Sequence, residues 1–256
     1  MSTVNPNIYN SEYDGRAFNL KGSEDSVLLF HGFTATTLEV RDLAEQIHQQ
    51  ARCTISAPLL PGHGTSPEDL SSRHFQEWLE AAEHSYTILQ SRSRTVFVGG
   101  ESMGGLLALY LAARHPEIIG IMLFAPALIT PKLREAQILR WFIYGFPKKD
   151  LDDTKKGFLP WQGYRINPLK AVVELGKLQS FVRNLLTEIK QPTIIFQGKQ
   201  DKTVDPMGSM IIHQTISSQN KQLVKLENCG HCVLLDPQRV QVYQLCMQFL
   251  NNLHTT

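Results

Sequence analysis

The stretch Val96-Phe97-Val98-Gly99-Gly100-Glu101-Ser102-Met103-Gly104-Gly105 constrains the fold more than any other part of this chain. Val96, Phe97 and Val98 read as the end of a buried strand. Met103, Leu106, Leu107, Leu109 and Leu111 read as the apolar body of a helix. Between them Gly100 to Gly104 form a G-x-S-x-G pattern. A chain that goes from strand to helix in so few residues turns very sharply, and side chains two positions either side of the serine would collide with strand or helix. Glycine removes those collisions and permits strained backbone angles. The Ser102 hydroxyl is thereby lifted clear of the sheet and stands at a helix N-terminus, where free N–H groups favour developing negative charge. This strand–turn–helix context is the one a nucleophile elbow requires. Without it, the pattern would be a glycine-rich turn with a surface serine.

Such an elbow needs a parallel sheet around it, and the rest of the chain supplies the alternation. Residues 26–33, SVLLFHGF, form a continuous apolar run, as in a parallel strand covered on both faces. Val40, Leu43, Ala44 and Ile47 then keep helical spacing, with Thr36 and Glu39 matching a capping box. A second strand is expected over 53–60, followed by the turn-rich PGHGTSPED. A helix over Phe75–Gln90, a strand at 95–99, a helix at 103–114 and a strand at 118–124 come next. The pattern resumes with a strand at 192–198, a helix at 207–217, a strand at 221–227 and a helix from Gln238 to Leu250. Repeated β–α alternation predicts an α/β fold with a mostly parallel, doubly wound sheet, read as one domain over residues 1–256.

Leu128 to Glu188 breaks this rhythm and is read as an insertion. It interleaves Trp141, Phe142, Tyr144, Phe146, Phe158, Trp161 and Tyr164 with the charged run KKDLDDTKK at 148–156. Two short helices with an irregular joint are expected there rather than a strand pair. The aromatics either pack on one another as a surface excursion or form an apolar cap over a ligand pocket.

A serine hydroxyl becomes a nucleophile only when a base takes its proton, and the base needs an orienting carboxylate. In a sheet of this kind the order is serine, acid, histidine. Past Ser102 and before the terminal His254 stand His115, His213 and His231. His115 falls at the far end of the helix that follows Ser102, and His213 inside a helix. His231 stands in a glycine-containing loop after the last strand, so it is the expected base. Asp201 and Asp205 both follow the strand at 192–198. Asp205 precedes Pro206 and looks like a helix cap, as Asp236 does before Pro237, which leaves Asp201 as the preferred acid. The tetrahedral oxyanion needs donors already in place. The backbone N–H groups of Met103 and of Phe33 are the candidates, with Gly32 allowing close approach and His31 ordering the loop by hydrogen bonding.

Taken together, LLFHGFTAT, PLLPGHG, GGESMGG, QGKQDKTVDP and CGHCVLLDP occur in the order and spacing of serine hydrolases of the α/β-hydrolase superfamily. From about Val27 to Leu250 the chain resembles small carboxylesterases and monoacylglycerol lipases. The resemblance implies an α/β-hydrolase fold with a small inserted cap over about 128–188, hydrolysis of small-molecule carboxylic esters, and no cofactor. Carried over by position, it implies Ser102 as nucleophile, Asp201 as acid, His231 as base, and Phe33 and Met103 as oxyanion donors. Glu101 departs from the family pattern. It either binds polar substrate groups or points sideways into a hydrogen-bond network.

The remaining features narrow the setting. A formal net charge of +1 gives no reason to expect nucleic acid or an anionic membrane as partner. No apolar run reaches bilayer length, and the N-terminal residues lack a secretory pattern, so a cytoplasmic protein without stable membrane insertion is expected. Cys229 and Cys232 flank His231 in a C-x-x-C spacing. With no second ligand pair, two inert thiols are a better reading than a metal or redox site, although oxidising the pair would distort the His231 loop. The same triad could serve a thioesterase, an amidase or a C–C bond hydrolase, and a non-catalytic ligand-binding protein is the alternative outside enzymes. Oligomeric state is not encoded in any of these features.

Overall fold

The computed structural model describes residues 5–131, 133–148 and 157–254. The chain begins with β1 (Ile8–Tyr9), β2 (Phe18–Leu20), β3 (Asp25–Phe30), α1 (Leu38–Ala51) and β4 (Thr54–Ala57). It continues through α2 (Pro67–Ser72), α3 (Phe75–Gln90), β5 (Thr95–Glu101), α4 (Met103–Arg114) and β6 (Gly120–Phe124). An insertion follows, carrying α5 (Leu133–Leu139), β7 (Gly145–Pro147), β8 (Gly163–Tyr164), β9 (Ile166–Pro168) and α6 (Leu169–Arg183). The chain then returns to the sheet with β10 (Thr193–Gly198), α7 (Met207–Thr215), β11 (Lys221–Leu226) and α8 (Arg239–His254).

Seven strands form one sheet in the order β11-β10-β6-β5-β3-β4-β2. Neighbours are parallel except β2 and β4 at one edge, which run antiparallel. The winding reverses between β3 and β5. After β3 the chain builds outward through β4, then crosses back to place β5 on the other side of β3 and builds outward again. Ligands of open α/β sheets bind beyond the strand C-termini at such a reversal. Ser102 follows β5 and Phe33 follows β3, so the two strands flanking the reversal deliver them to the same rim.

Side-chain alternation along the strands explains why helices cover both faces. Val27 and Leu29 of β3, Phe97 of β5, Met122 and Phe124 of β6 and Phe196 of β10 are buried with Val40, Leu43 and Ile47 of α1 and Val242 and Cys246 of α8. Their alternates Leu28, Phe30, Val98, Ile121, Leu123 and Ile195 are buried on the other face against α3, α4 and α6. At about 1.5–3 kcal/mol for each large apolar side chain fully buried, this two-sided core is what orders the sheet and hence the rim.

Three sequence expectations are corrected. First, Thr36 and Glu39 do not form a capping box. Thr37 occupies the cap position of α1 with no side-chain cap bond. The Thr36 hydroxyl donates to Gln162 Oε1 at 2.7 Å instead. A buried acceptor and a buried donor elsewhere compete successfully for these side chains. Second, the insertion does contain a strand pair: β7 pairs antiparallel with β9, and β1 near the N-terminus pairs with β8. Its helices are unequal rather than both short: α5 has 7 residues and α6 has 15, with Ala171, Leu175, Leu178 and Val182 of α6 buried in the core. Third, α2 begins inside the PGHGTSPED turn, capped by Ser66, whose hydroxyl accepts from Asp69 N at 3.2 Å, with Pro67 at the first helical position. Residues 149–156 of the charged run lie outside the described residues.

The aromatics of the insertion divide. Trp161 and Tyr164 are buried at 6 % and 0 % exposure, while Trp141 and Phe142 stand 73 % and 80 % exposed. No helix of the described residues is long and apolar enough to cross a membrane.

Candidate active site

The turn after β5 is as tight as its glycines imply. Ser102 has φ 55° and ψ −111°, a backbone conformation L-residues rarely adopt. A Cβ on Gly100 would lie 2.3 Å from the backbone of Gly104, and one on Gly104 would lie 2.2 Å from the Phe30 carbonyl oxygen. Both positions therefore exclude side chains for steric reasons. The strained serine is held by backbone bonds on each side: Ser102 N donates to Phe124 O at 2.8 Å, and Ala127 N donates to Ser102 O at 3.0 Å. Strain over-determined by its surroundings in this way marks functional positions.

His231 reaches this serine from the loop after β11. Its Nε2 lies 3.0 Å from Ser102 Oγ and its Nδ1 lies 2.8 Å from Asp201 Oδ2. Asp201 is fixed in turn. Oδ1 accepts from Thr203 N at 2.8 Å and Val204 N at 3.0 Å, and Oδ2 accepts from Gln197 Nε2 at 3.0 Å. Burial works to raise the Asp201 pKa, but the bond and charge of His231, with the Val204 and Thr203 amides, outweigh it and leave the carboxyl below its ordinary value. A carboxylate that stays ionised keeps Nδ1 of the ring protonated and so leaves Nε2 free to accept the serine proton. Gln197 is held by Ser209, whose hydroxyl donates to Gln197 Oε1 at 2.7 Å, so a fully bonded row backs the acid.

The competing residues are elsewhere. Asp205 Oδ1 accepts from Met207 N at 2.9 Å at the start of α7, and Asp236 Oδ1 accepts from Gln238 N at 3.0 Å, each turning the chain into a helix. His115 sits at the end of α4 between Glu83 at 2.7 Å and Glu117 at 3.2 Å. His213 lies on α7.

The loop after β3 lies against the serine: a Cβ on Gly32 would come within 3.2 Å of Ser102 Cβ. His31 orders it. The ring accepts from Leu60 N at Nε2, 3.1 Å, and meets the Gly32 carbonyl at Nδ1, 2.9 Å. Burial drives its pKa down to about 4, so the ring is neutral and donates from Nδ1. Phe33 and Met103 present their backbone N–H groups without an acceptor among the described residues. Unpaired amides at a helix start and in a glycine loop are the donors an oxyanion requires.

Glu101 takes the second of its two expected roles. It is fully buried and points sideways, Oε1 accepting from Val233 N at 2.8 Å and Oε2 from Leu234 N at 3.2 Å. It thus ties the turn that carries Ser102 to the loop that carries His231. Burial, reinforced by the nearby Glu39, pushes its pKa well up despite those two donors. Cys229 and Cys232 are free, and burial raises both thiols, so neither carries a reactive thiolate.

Sequence reasoning missed Glu39. Its carboxylate is 3 % exposed and lies under the loop after β3, where Oε2 accepts from Gly32 N at 2.6 Å and Oε1 from Trp161 Nε1 at 3.1 Å. The signal was present. Glu39, Leu43 and Ile47 fall at i, i+4 and i+8, so an acidic residue stands in register with the apolar face of α1. Lys148, beside it, bonds Thr34 Oγ1 and lies 4.1 Å over the Trp161 ring.

Known proteins match this fold over most of the chain. The sequence pattern of the alpha/beta hydrolase family matches residues 27–241. A thermostable monoacylglycerol lipase of Bacillus sp. (strain H-257) is 34 % identical over 223 residues, covering 87 % of this chain and 89 % of that one. A carboxylesterase of Bacillus subtilis (strain 168) is 29 % identical over 240 residues, covering 93 % and 97 %. A solved structure from work on the metagenome-derived lipolytic enzymes LipS and LipT superposes with a TM-score of 0.88 at 28 % identity, covering 98 % of this chain and 100 % of that one. A reversed parallel sheet, a strained serine at its switch point and a match over most of the length lead to one conclusion: this chain belongs to the alpha/beta hydrolase family.

Proposed function

We propose that this protein hydrolyses carboxylic esters through an acyl-enzyme at Ser102. The observation that carries the reading is the position of the His231 ring, 3.0 Å from Ser102 Oγ and 2.8 Å from Asp201 Oδ2. His231 takes the hydroxyl proton as Oγ attacks the ester carbonyl, and Asp201 steadies the imidazolium. The N–H groups of Phe33 and Met103 receive the oxyanion. The alcohol leaves with the proton from His231, and a water molecule then repeats the sequence on the acyl-enzyme. No step calls for a metal or an organic cofactor.

The names of the relatives, monoacylglycerol lipase and carboxylesterase, support small-molecule esters with an apolar acyl group as substrates. The insertion over 128–188 serves as the cap, with Trp161 and Tyr164 fastening it to the body of a single domain. Cysteines that are all free support a reducing, cytoplasmic setting.

A fluorophosphonate probe should label the wild-type protein and not Ser102→Ala. Nitrophenyl esters of increasing chain length, run beside monoacylglycerols and a thioester, should show ester turnover that Ser102→Ala lowers by at least about 10³-fold. A loss below tenfold would end the acyl-enzyme reading.

A further inference from the structure

We propose that Glu39 is a positioning residue for ester hydrolysis, holding the His31–Gly32 peptide that leads into the one presenting the Phe33 N–H, while anchoring the insertion to that loop through Trp161. The inference rests on the reading of Phe33 as an oxyanion donor.

Gly32 precedes Phe33, and a Cβ there would press on the machinery, lying 2.9 Å from Glu39 Oε2 and 3.2 Å from Ser102 Cβ. Glycine is also the residue least able to hold its own backbone direction. The aim of the next amide therefore has to be set from outside. Two contacts set it. Gly32 N donates to Glu39 Oε2 at 2.6 Å, which fixes the peptide before Gly32. The Gly32 carbonyl oxygen accepts from His31 Nδ1 at 2.9 Å and from Ala35 N at 3.2 Å, which fixes the peptide after it. Because a trans peptide directs its C=O and N–H oppositely, holding the Gly32 oxygen toward His31 and Ala35 turns the Phe33 N–H the other way.

The other oxygen of Glu39 looks outward to the insertion. Oε1 accepts from Trp161 Nε1 at 3.1 Å, across 122 residues of sequence. Trp161 is in turn held by the N-terminal segment, as Asn10 Nδ2 donates to its carbonyl at 2.7 Å. One carboxylate thus joins three parts of the chain at the loop beside the nucleophile. A carboxylate costs much to bury, and an apolar residue would pack on Leu43 and Ile47 without that cost. The two N–H groups it receives, with the Cys232 thiol and the Lys148 cation nearby, offset part of that cost.

The experiment compares wild type, Glu39→Met, Glu39→Gln and Trp161→Phe. Glu39→Met keeps the length and bulk of the side chain but has no oxygen. Glu39→Gln keeps one acceptor oxygen. Each is measured for kcat and KM on a nitrophenyl ester, for the inhibition constant of a trifluoromethyl ketone that forms a tetrahedral oxyanion with serine, and for melting temperature. Losing a hole donor outright costs about 10²–10³ in kcat, and a misdirected donor costs less. Glu39→Met should lower kcat about tenfold or more with KM within threefold, and weaken the ketone in the same proportion as kcat/KM. Glu39→Gln should recover to within about threefold of wild type, and Trp161→Phe should fall about twofold. A folded Glu39→Met with wild-type kcat, or one changed only in KM or melting temperature, overturns the proposal. If Glu39→Met does not fold, Glu39→Gln decides, and wild-type values of both kcat and ketone affinity there overturn it. Should wild type itself turn over no ester, the ester-hydrolase reading is what fails, a result separate from any difference among the Glu39 variants.

Discussion

The turn at Gly100–Gly104 and the insertion between β6 and β10 both interrupt regular structure, and they are held by opposite means. At the turn the constraints are short-range and steric: the backbones of Gly100 and Gly104 meet each other and the Phe30 carbonyl so closely that no side chain fits. In the insertion the constraints are polar and distant. Tyr164 Oη donates to Gly62 O at 2.6 Å across 102 residues, and Gln162 Nε2 donates to Asn10 O at 2.8 Å across 152. The difference teaches which kind of evidence each region leaves in a sequence. Steric exclusion leaves glycines at required places, whereas long-range hydrogen bonds leave ordinary polar residues whose partners are unmarked.

Substitutions test this contrast directly. The largest effect is expected within the rim that the turn serves. Asp201→Asn should preserve the fold and lower kcat about 10⁴-fold, because its amide would donate to His231 Nδ1 and move the ring hydrogen to Nε2, which then cannot accept the Ser102 proton, as steady-state kinetics will show. Gly104→Ala tests the steric account itself. With the Phe30 oxygen 2.2 Å from the new Cβ, a loss of about 3 kcal/mol is expected, read calorimetrically as a melting temperature roughly 6–12 °C lower. A shift below 2 °C would show that the turn has room to spare.

In the insertion, the buried and exposed aromatics should separate. Tyr164→Phe removes the hydroxyl that meets Gly62 O and Thr65 N, and should cost about 1–2 kcal/mol in urea unfolding. Glu101 gives a shallower, pH-dependent effect. Its pKa is raised in the fold, so above about pH 4.5 the unfolded chain releases the proton first, and the native state loses stability as pH rises. Glu101→Gln lacks that titration. The melting temperature of wild type relative to the variant should therefore decline as pH rises above about 4.5, and a constant difference would count against a raised pKa. The smallest effect belongs to Phe142→Ser, at 80 % exposure, where a change within about 0.5 kcal/mol is expected.

Much of the body was legible because its cues are local. Apolar runs bounded by turns located the parallel strands to within a few residues, and the G-x-S-x-G pattern located the elbow. Asp201 and Asp205 were distinguishable because a proline after an aspartate marks a helix start. Glu39 was misread for the same reason: three residues after Thr36, it fits a capping rule that depends on local spacing. The competing partners, Gly32 N and Trp161 Nε1, come from a loop before the helix and from the insertion far beyond it. The strand pair β7–β9 was missed because three-residue strands carry too few positions for alternation to show.

What the amino-acid order determined alone is the alternation of strand and helix, the sharp turn at Ser102 and the residue types available to the rim. These depend on steric and apolar terms that act within a few residues. Only the tertiary structure decided that Glu101 supports the His231 loop, that Glu39 holds the loop before Phe33, and that Trp161 and Tyr164 turn inward while Trp141 and Phe142 face outward. Each of those outcomes is a choice among hydrogen-bond partners or packing surfaces brought together by folding, and its energy exists only once the sheet has placed them side by side.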